Sequence, residues 1–119
     1  MEVGVFGPGH FRGKEYRNYV YVAGILDMYD PFTKVVSGGG VGTERLALRY
    51  ATDNKLEHEV VPPNIQAFGM PEAFKMRNQI IVKKVDLVIL LWDGRDEKYH
   101  RLMAECIEQQ TTVHLYHVE

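Results

Sequence analysis

An α/β fold, a single-domain Rossmann-like three-layer sandwich of about five parallel strands, is predicted by three observations. Short apolar runs alternate with amphipathic stretches of helical period along all 119 residues. Leu87–Trp92 (LVILLW) is apolar without interruption at strand length, as in a strand covered on both faces. A cluster of four glycines follows a β-prone run and opens directly into a helical pattern.

Val3–Phe6 is the first β-prone run, ended by Gly7-Pro8-Gly9. From Lys14 to about Asp27, residues Tyr16, Tyr19, Val20, Ala23 and Leu26 recur at three- and four-residue spacing, so one helical face collects them. Pro31 follows beyond the expected helix end. Thr33–Ser37 is the second strand, stopped by Gly38-Gly39-Gly40-Val41-Gly42. Thr43 is placed to cap a second helix reaching about Asn54, with a buried stripe of Leu46, Ala47, Tyr50 and Ala51. Glu59–Val61 is a short third strand before Pro62-Pro63. Asn64–Pro71 carries turn residues without a period and is expected to be loop. Pro71 suits the first turn of a third helix, with Glu72 near its positive end, running to about Lys84. Asp93-Gly94 ends the LVILLW strand, and a fourth helix from about Glu97 to Gln110 carries Tyr99, Leu102, Met103, Cys106 and Ile107 on one side. Thr112–Val118 alternates enough to be an edge strand. The resulting order, βαβαβαβαβ, implies parallel pairing through right-handed crossovers.

Composition narrows the function. Fourteen basic residues against sixteen acidic ones leave a net charge of −2. That balance gives no electrostatic case for nucleic-acid binding, which draws on clustered cations. One cysteine excludes an internal disulfide framework and a multi-cysteine zinc site. His58, His100, His114 and His117 show no metal-ligand spacing, so neither a metal nor a cofactor is expected. No apolar run approaches the ~18 residues of a membrane span. The first ten residues, acidic at Glu2 and broken by Gly4, Gly7 and Gly9, do not read as a signal peptide. The expectation is a cytoplasmic protein without a membrane partner.

In a doubly wound sheet, ligands bind outside the carboxyl ends of the strands, where the strand order reverses. Three strand ends carry candidate residues. Gly38, Gly39, Gly40, Gly42 and Thr43 form a strand-to-helix loop in which backbone N–H groups can approach a phosphate, aided by the helix N-terminus. This is not a Walker loop, since Arg45 stands two residues beyond the lysine position. Nor is it a dinucleotide fingerprint, since no glycine or alanine completes the spacing after Gly40 and Gly42. Gly7, Pro8 and Gly9 permit a similar close approach after the first strand, with His10 beside them. Asp93 and Gly94 follow the buried strand, where the carboxylate can hold a sugar hydroxyl and Trp92 can stack on a base. Arg77 and Asn78 lie within the third helix. A guanidinium there can clamp a phosphate if the helix points its first half at the strand ends. Cys106 falls on an apolar helix face and reads as a core thiol.

The ordered set of a strand, GGGVGTE opening a helix, and MRNQIIVKKVDLVILLW resembles the SLOG superfamily of Rossmann-like nucleotide-binding domains. That superfamily includes the DprA and LOG ("lonely guy") proteins, and the nearest branch is the small YspA/YpsA-like one. The motifs are Gly38–Glu44, Arg77-Asn78 and Asp86-Leu87-Val88-Ile89, in the family's order over nearly the whole chain. The resemblance implies a nucleotide or nucleotide-derived ligand. Self-association into a homo-oligomer, a dimer above all, is expected from what is common in relatives of this fold and from seven tyrosines and five phenylalanines able to furnish an interface. The LOG enzymes hydrolyse the N-glycosidic bond of nucleoside 5′-monophosphates with an arginine and a glutamate, the latter in a second glycine-rich loop. This chain reads DGRDEKYHRLMAE after Trp92, without that Gly-Gly or Gly-Thr. Two functions follow as expectations. The first is nucleotide binding without catalysis. The alternative is a LOG-like N-glycosidase, a hydrolase using Glu44 or Asp93 as the carboxylate and Arg77 to hold the phosphate.

Overall fold

In a computed structural model, residues 1–9, 15–29 and 31–118 are described, with side chains from residue 17 onward in the first helix. The chain runs β1 (Glu2–Phe6), α1 (Glu15–Asp27), β2 (Lys34–Ser37), α2 (Thr43–Asp53), β3 (Glu57–Val60), α3 (Ile65–Phe68), α4 (Glu72–Lys84), β4 (Leu87–Trp92), α5 (Glu97–Glu108) and β5 (Thr112–His117). His10 and the expected helix start at Lys14 lie outside the described residues.

All five strands pair in parallel, in the order β3-β2-β1-β4-β5. The alternation of β4 shows how the layers assemble. Leu87, Ile89 and Leu91 enter one core with Val22, Ile25 and Leu26 of α1 and Leu46, Ala47, Tyr50 and Ala51 of α2. Val88, Leu90 and Trp92 enter a second core with Ile81 and Val82 of α4 and Tyr99, Leu102 and Cys106 of α5. A strand buried on both faces needs apolar residues at every position, which explains the unbroken LVILLW. The α/β three-layer sandwich is therefore as the sequence predicts. The Cα radius of gyration is 13.3 Å, against about 13.5 Å expected for one compact body of this length. Among the described residues no helix is long and apolar enough to cross a membrane.

Some local expectations need correction. β3 begins two residues earlier than expected, at Glu57, because its ladder to β2 starts at Lys34↔Glu57. The segment expected to be loop contains α3, a single turn whose first N–H groups are capped by Asn64: its side chain accepts from the Ala67 N–H at 3.2 Å. With four residues and none buried, it leaves no periodic signature. Two expected stripe residues face outward instead: Val20 is 52% exposed and Ile107 is 73% exposed. Val22 and Ile25 take the burial on α1, with Leu26 as expected.

Thr43 does not cap α2. The N-cap is Gly42, at φ 77°, and the Thr43 hydroxyl instead donates to the Pro8 carbonyl at 3.0 Å. Gly42 is required twice over. Its φ is left-handed, and a Cβ there would lie 2.4 Å from the Gly9 carbonyl oxygen. The loops after β1 and β2 are thus packed backbone to backbone.

Candidate functional site

Strand order reverses between β1 and β4, since β1→β2→β3 proceeds one way across the sheet and β4→β5 the other. A cleft of about 540 Å³ opens at the carboxyl end of β1, within the ~300–1,000 Å³ typical of small-ligand sites. Gly7 and Gly9 form one side, Gly40 and Glu44 the floor, and α4 and α5 the far wall.

Arg77 reaches this floor from α4. Ala73, Arg77 and Ile81 follow one another at four-residue spacing, and all three are buried. Arg77 therefore occupies a core-facing position of its helix, and it is 8% exposed. Its guanidinium is held from behind, with Nε and Nη2 donating to Asn78 Oδ1 at 3.1 and 3.0 Å. The Phe74 ring lies 5.1 Å from Arg77 Cζ, close enough for cation–π attraction. Nη1 is left facing Glu44 Oε1 at 3.6 Å. Gly38 makes this approach possible: a Cβ there would lie 2.2 Å from Arg77 Nη1 and 2.7 Å from Glu44 Oε1.

The loop amides do not stand empty. The Gly40 N–H donates to Glu44 Oε1 at 3.2 Å, and the Gly39 N–H donates to Ser37 Oγ at 3.1 Å. The Thr43 N–H donates to the Pro8 carbonyl at 3.1 Å. The chain's own carboxylate thus sits in the glycine loop, at the first turn of α2, where a helix dipole favours negative charge. Glu44 is 7% exposed, lines the cleft and is charge-balanced by Arg77. A phosphate entering here competes with Glu44 Oε1 for the Gly40 N–H and Arg77 Nη1, or binds beside a retained carboxylate.

The structure brings together Gly7, Gly9, Gly40, Glu44, Arg77 and Asn78 around the cleft, with Gly38 directly beneath Arg77. Pro8, Gly39, Gly42 and Thr43 do not line it. Thr43 is fully buried and, with Pro8, holds the two loops together. Asp93 and Gly94 also lie off the cleft, on an exposed turn. The Asp93 carboxylate accepts the Arg95 N–H at 2.8 Å, and that bond holds its ionisation below the usual carboxylate range. Trp92 packs in the second core, edge-on to His100.

Sequence reasoning missed Tyr99. It lies in the apolar stripe of α5, as expected, yet it also lines the cleft and carries a hydroxyl that core packing alone leaves unexplained. A tyrosine in a buried stripe is itself a signal, because its O–H needs a partner. Among the described residues, no group of three or more His, Cys, Asp or Glu side chains could hold a metal ion. Comparison of the chain with protein-family models and with curated proteins finds no match.

Proposed function

We propose that this chain binds a nucleotide or nucleotide derivative in the cleft at the end of β1, with Arg77 as the phosphate clamp. One observation carries the reading: a buried guanidinium from α4 meets the glycine loop and Glu44 at the point where strand order reverses. Guanidinium groups suit phosphate because their N–H donors form a planar fork. Two of the five donors are spent fixing Arg77 on Asn78, so Nη1 is pre-oriented. In this reading Asn78 positions Arg77 rather than contacting the sugar. The ordered motifs also support assignment to the SLOG superfamily.

Thermal shift and calorimetric titration with ribonucleoside mono- and diphosphates, with inorganic phosphate alongside, test the reading. Ligand at a hundred times its Kd adds about 2.7 kcal/mol of stability, and Arg77→Ala is expected to abolish the gain. Absence of a shift with every phosphorylated nucleoside removes the reading.

A second reading, N-glycosidic hydrolysis of a nucleoside 5′-monophosphate, is favoured by one feature. Glu44 presents a carboxylate in the cleft beside the phosphate clamp, and a carboxylate there can stabilise an oxocarbenium-like transition state. The role falls to Glu44, since Asp93 stands outside the cleft. Release of free base by the wild type and not by Glu44→Gln supports hydrolysis, whereas binding without base release leaves the first reading alone.

A further inference from the structure

The two edges of the sheet differ in chemistry. β3, at one edge, presents Glu57 and Glu59, the latter paired with Lys34 and Lys84, and it runs on to Pro62-Pro63. Charges and prolines of this kind keep an edge strand from pairing with another chain. β5, at the opposite edge, reads Thr-Val-His-Leu-Tyr-His, with no acidic residue, lysine, arginine or proline. It is in regular register with β4 from Thr112 to His117, and no described strand lies beyond it.

The direction of the backbone groups of β5 is fixed. The Val118 N–H donates to the Trp92 carbonyl of β4 at 3.0 Å. Main-chain groups alternate sides along a strand, so His114 and Tyr116 turn theirs to β4, while Val113, Leu115 and His117 turn theirs outward. The His117 carbonyl accepts from the Tyr21 hydroxyl at 3.2 Å and keeps a second lone pair. Apolar side chains flank this edge on both faces of the sheet. On the α5 face, Met103 and Val113 pack against the second core. Leu115 is 49% exposed, as is, at 73%, Ile107, one turn on from Met103 along α5. The charged Lys98, Arg101 and Glu105 of α5 take the other flank, which lines the cleft. On the α1 face, Tyr29 is hydrogen-bonded to His114 Nδ1 at 2.7 Å and to Tyr116, and Tyr21 and Met28 of the same region are exposed.

We propose that β5 pairs antiparallel with β5 of a second copy of this chain, across a two-fold axis at Leu115, joining the two sheets into one. In that register Leu115 faces the partner's Leu115 and Val113 faces the partner's His117, so all three outward residues find backbone partners. A two-fold one residue to either side pairs only two of the three. His114 comes to lie opposite the partner's Tyr116, and no charged side chain of β5 meets its like. The same pairing through β3 sets acidic residues against one another, which destabilises a sheet. The surface is also large enough. A six-residue strand is about 20 Å long and the three layers together about 30 Å high, so the edge face is roughly 600 Å² in projection, and two copies clear the ~1,000 Å² total that marks a stable interface. This pairing is independent of what the cleft at the end of β1 binds.

Sedimentation velocity of the full chain, with amide hydrogen exchange followed residue by residue, tests the pairing. The wild type is expected to sediment at twice the 13.7 kDa of one chain. The Val113, Leu115 and His117 amides are expected to exchange more slowly as concentration rises, while those of His114 and Tyr116, bonded to β4 in either state, do not change. Leu115→Lys sets two ammonium groups together at the two-fold and is expected to return the chain to 13.7 kDa. Leu115 is half exposed, so its thermal unfolding as a monomer stays cooperative. A wild type that remains a monomer into the millimolar range overturns the proposal. So does a dimer that persists in Leu115→Lys, or one in which the three outward amides exchange at a rate independent of concentration.

Discussion

Alanine at Gly38 probes the geometry on which the site is built. The added Cβ would fall 2.2 Å from Arg77 Nη1, 2.7 Å from Arg77 Cζ and 2.7 Å from Glu44 Oε1, all inside van der Waals contact. A guanidinium is the far end of a flexible side chain, but this one cannot retreat freely. It is buried, anchored twice on Asn78 Oδ1 and paired with Glu44. Relief of the overlap therefore disturbs those contacts, and such overpacking costs typically about 1–3 kcal/mol. With an unfolding entropy of ~2.1 cal/mol/K per residue over this chain, a loss of ~2 kcal/mol lowers Tm by about 8 °C. Gly40→Ala is the internal control, since its Cβ would meet Glu44 Oε1 at 3.4 Å and nothing nearer. Urea or thermal unfolding of Gly38→Ala, Arg77→Ala and the double variant gives the coupling. Removing Arg77 removes the main clash, so alanine at position 38 is expected to cost about 1 kcal/mol less in that background. A Gly38→Ala protein as stable as the wild type, or a cost unchanged when Arg77 is absent, refutes the packing of Arg77 against the loop.

Four other outcomes follow from the same structure. Asn78→Ala is expected to weaken nucleotide binding less than Arg77→Ala, because Asn78 acts by fixing the guanidinium; equal losses on titration contradict that role. Thr43→Val keeps the side-chain volume but deletes the partly buried hydrogen bond to the Pro8 carbonyl, and it is expected to cost about 1 kcal/mol in chemical denaturation. Stability is expected to fall in alkali. Burial, and then Glu105, raise the Cys106 thiol to about 11, and burial, with the hydrogen bond to Tyr116 next, raises Tyr29 to about 12. Groups held neutral by folding support the native state fully below their unfolded values of 9.0 and 10.0 and lose that support as pH rises through the folded ones. Denaturation midpoints should be flat near neutrality and decline between pH 9 and 12. Thiol alkylation at neutral pH should be slow until the chain is unfolded.

The sheet and its helices were legible because burial imposes a period. LVILLW could be buried on both faces, and Leu46, Ala47, Tyr50 and Ala51 could share one helix face; both are so placed. α3 was not legible because it buries nothing and its cap is one Asn side chain. Arg77 was half legible. Spacing alone leaves an arginine free to be on the surface, but its place four residues after Ala73 and four before Ile81 puts it on the core face. What no pattern announces is the pairing of Glu44 with Arg77, which joins residues 33 positions apart through Gly38. Asp93 looked equally suited to a site, yet its carboxylate closes a local turn on Arg95. Sequence shows which carboxylates follow strands, while only topology shows which of them share a cleft.

The amide resonances of Gly38, Gly39, Gly40 and Gly42, followed by two-dimensional NMR during titration with ribonucleoside 5′-monophosphates, test the central claim most directly. Binding as described shifts Gly40 most, because its N–H donates to Glu44 Oε1 at the cleft floor, and Arg77→Ala removes the shift. Nucleotide-induced shifts confined to other parts of the chain, or a glycine loop that does not respond at saturation, contradict the account.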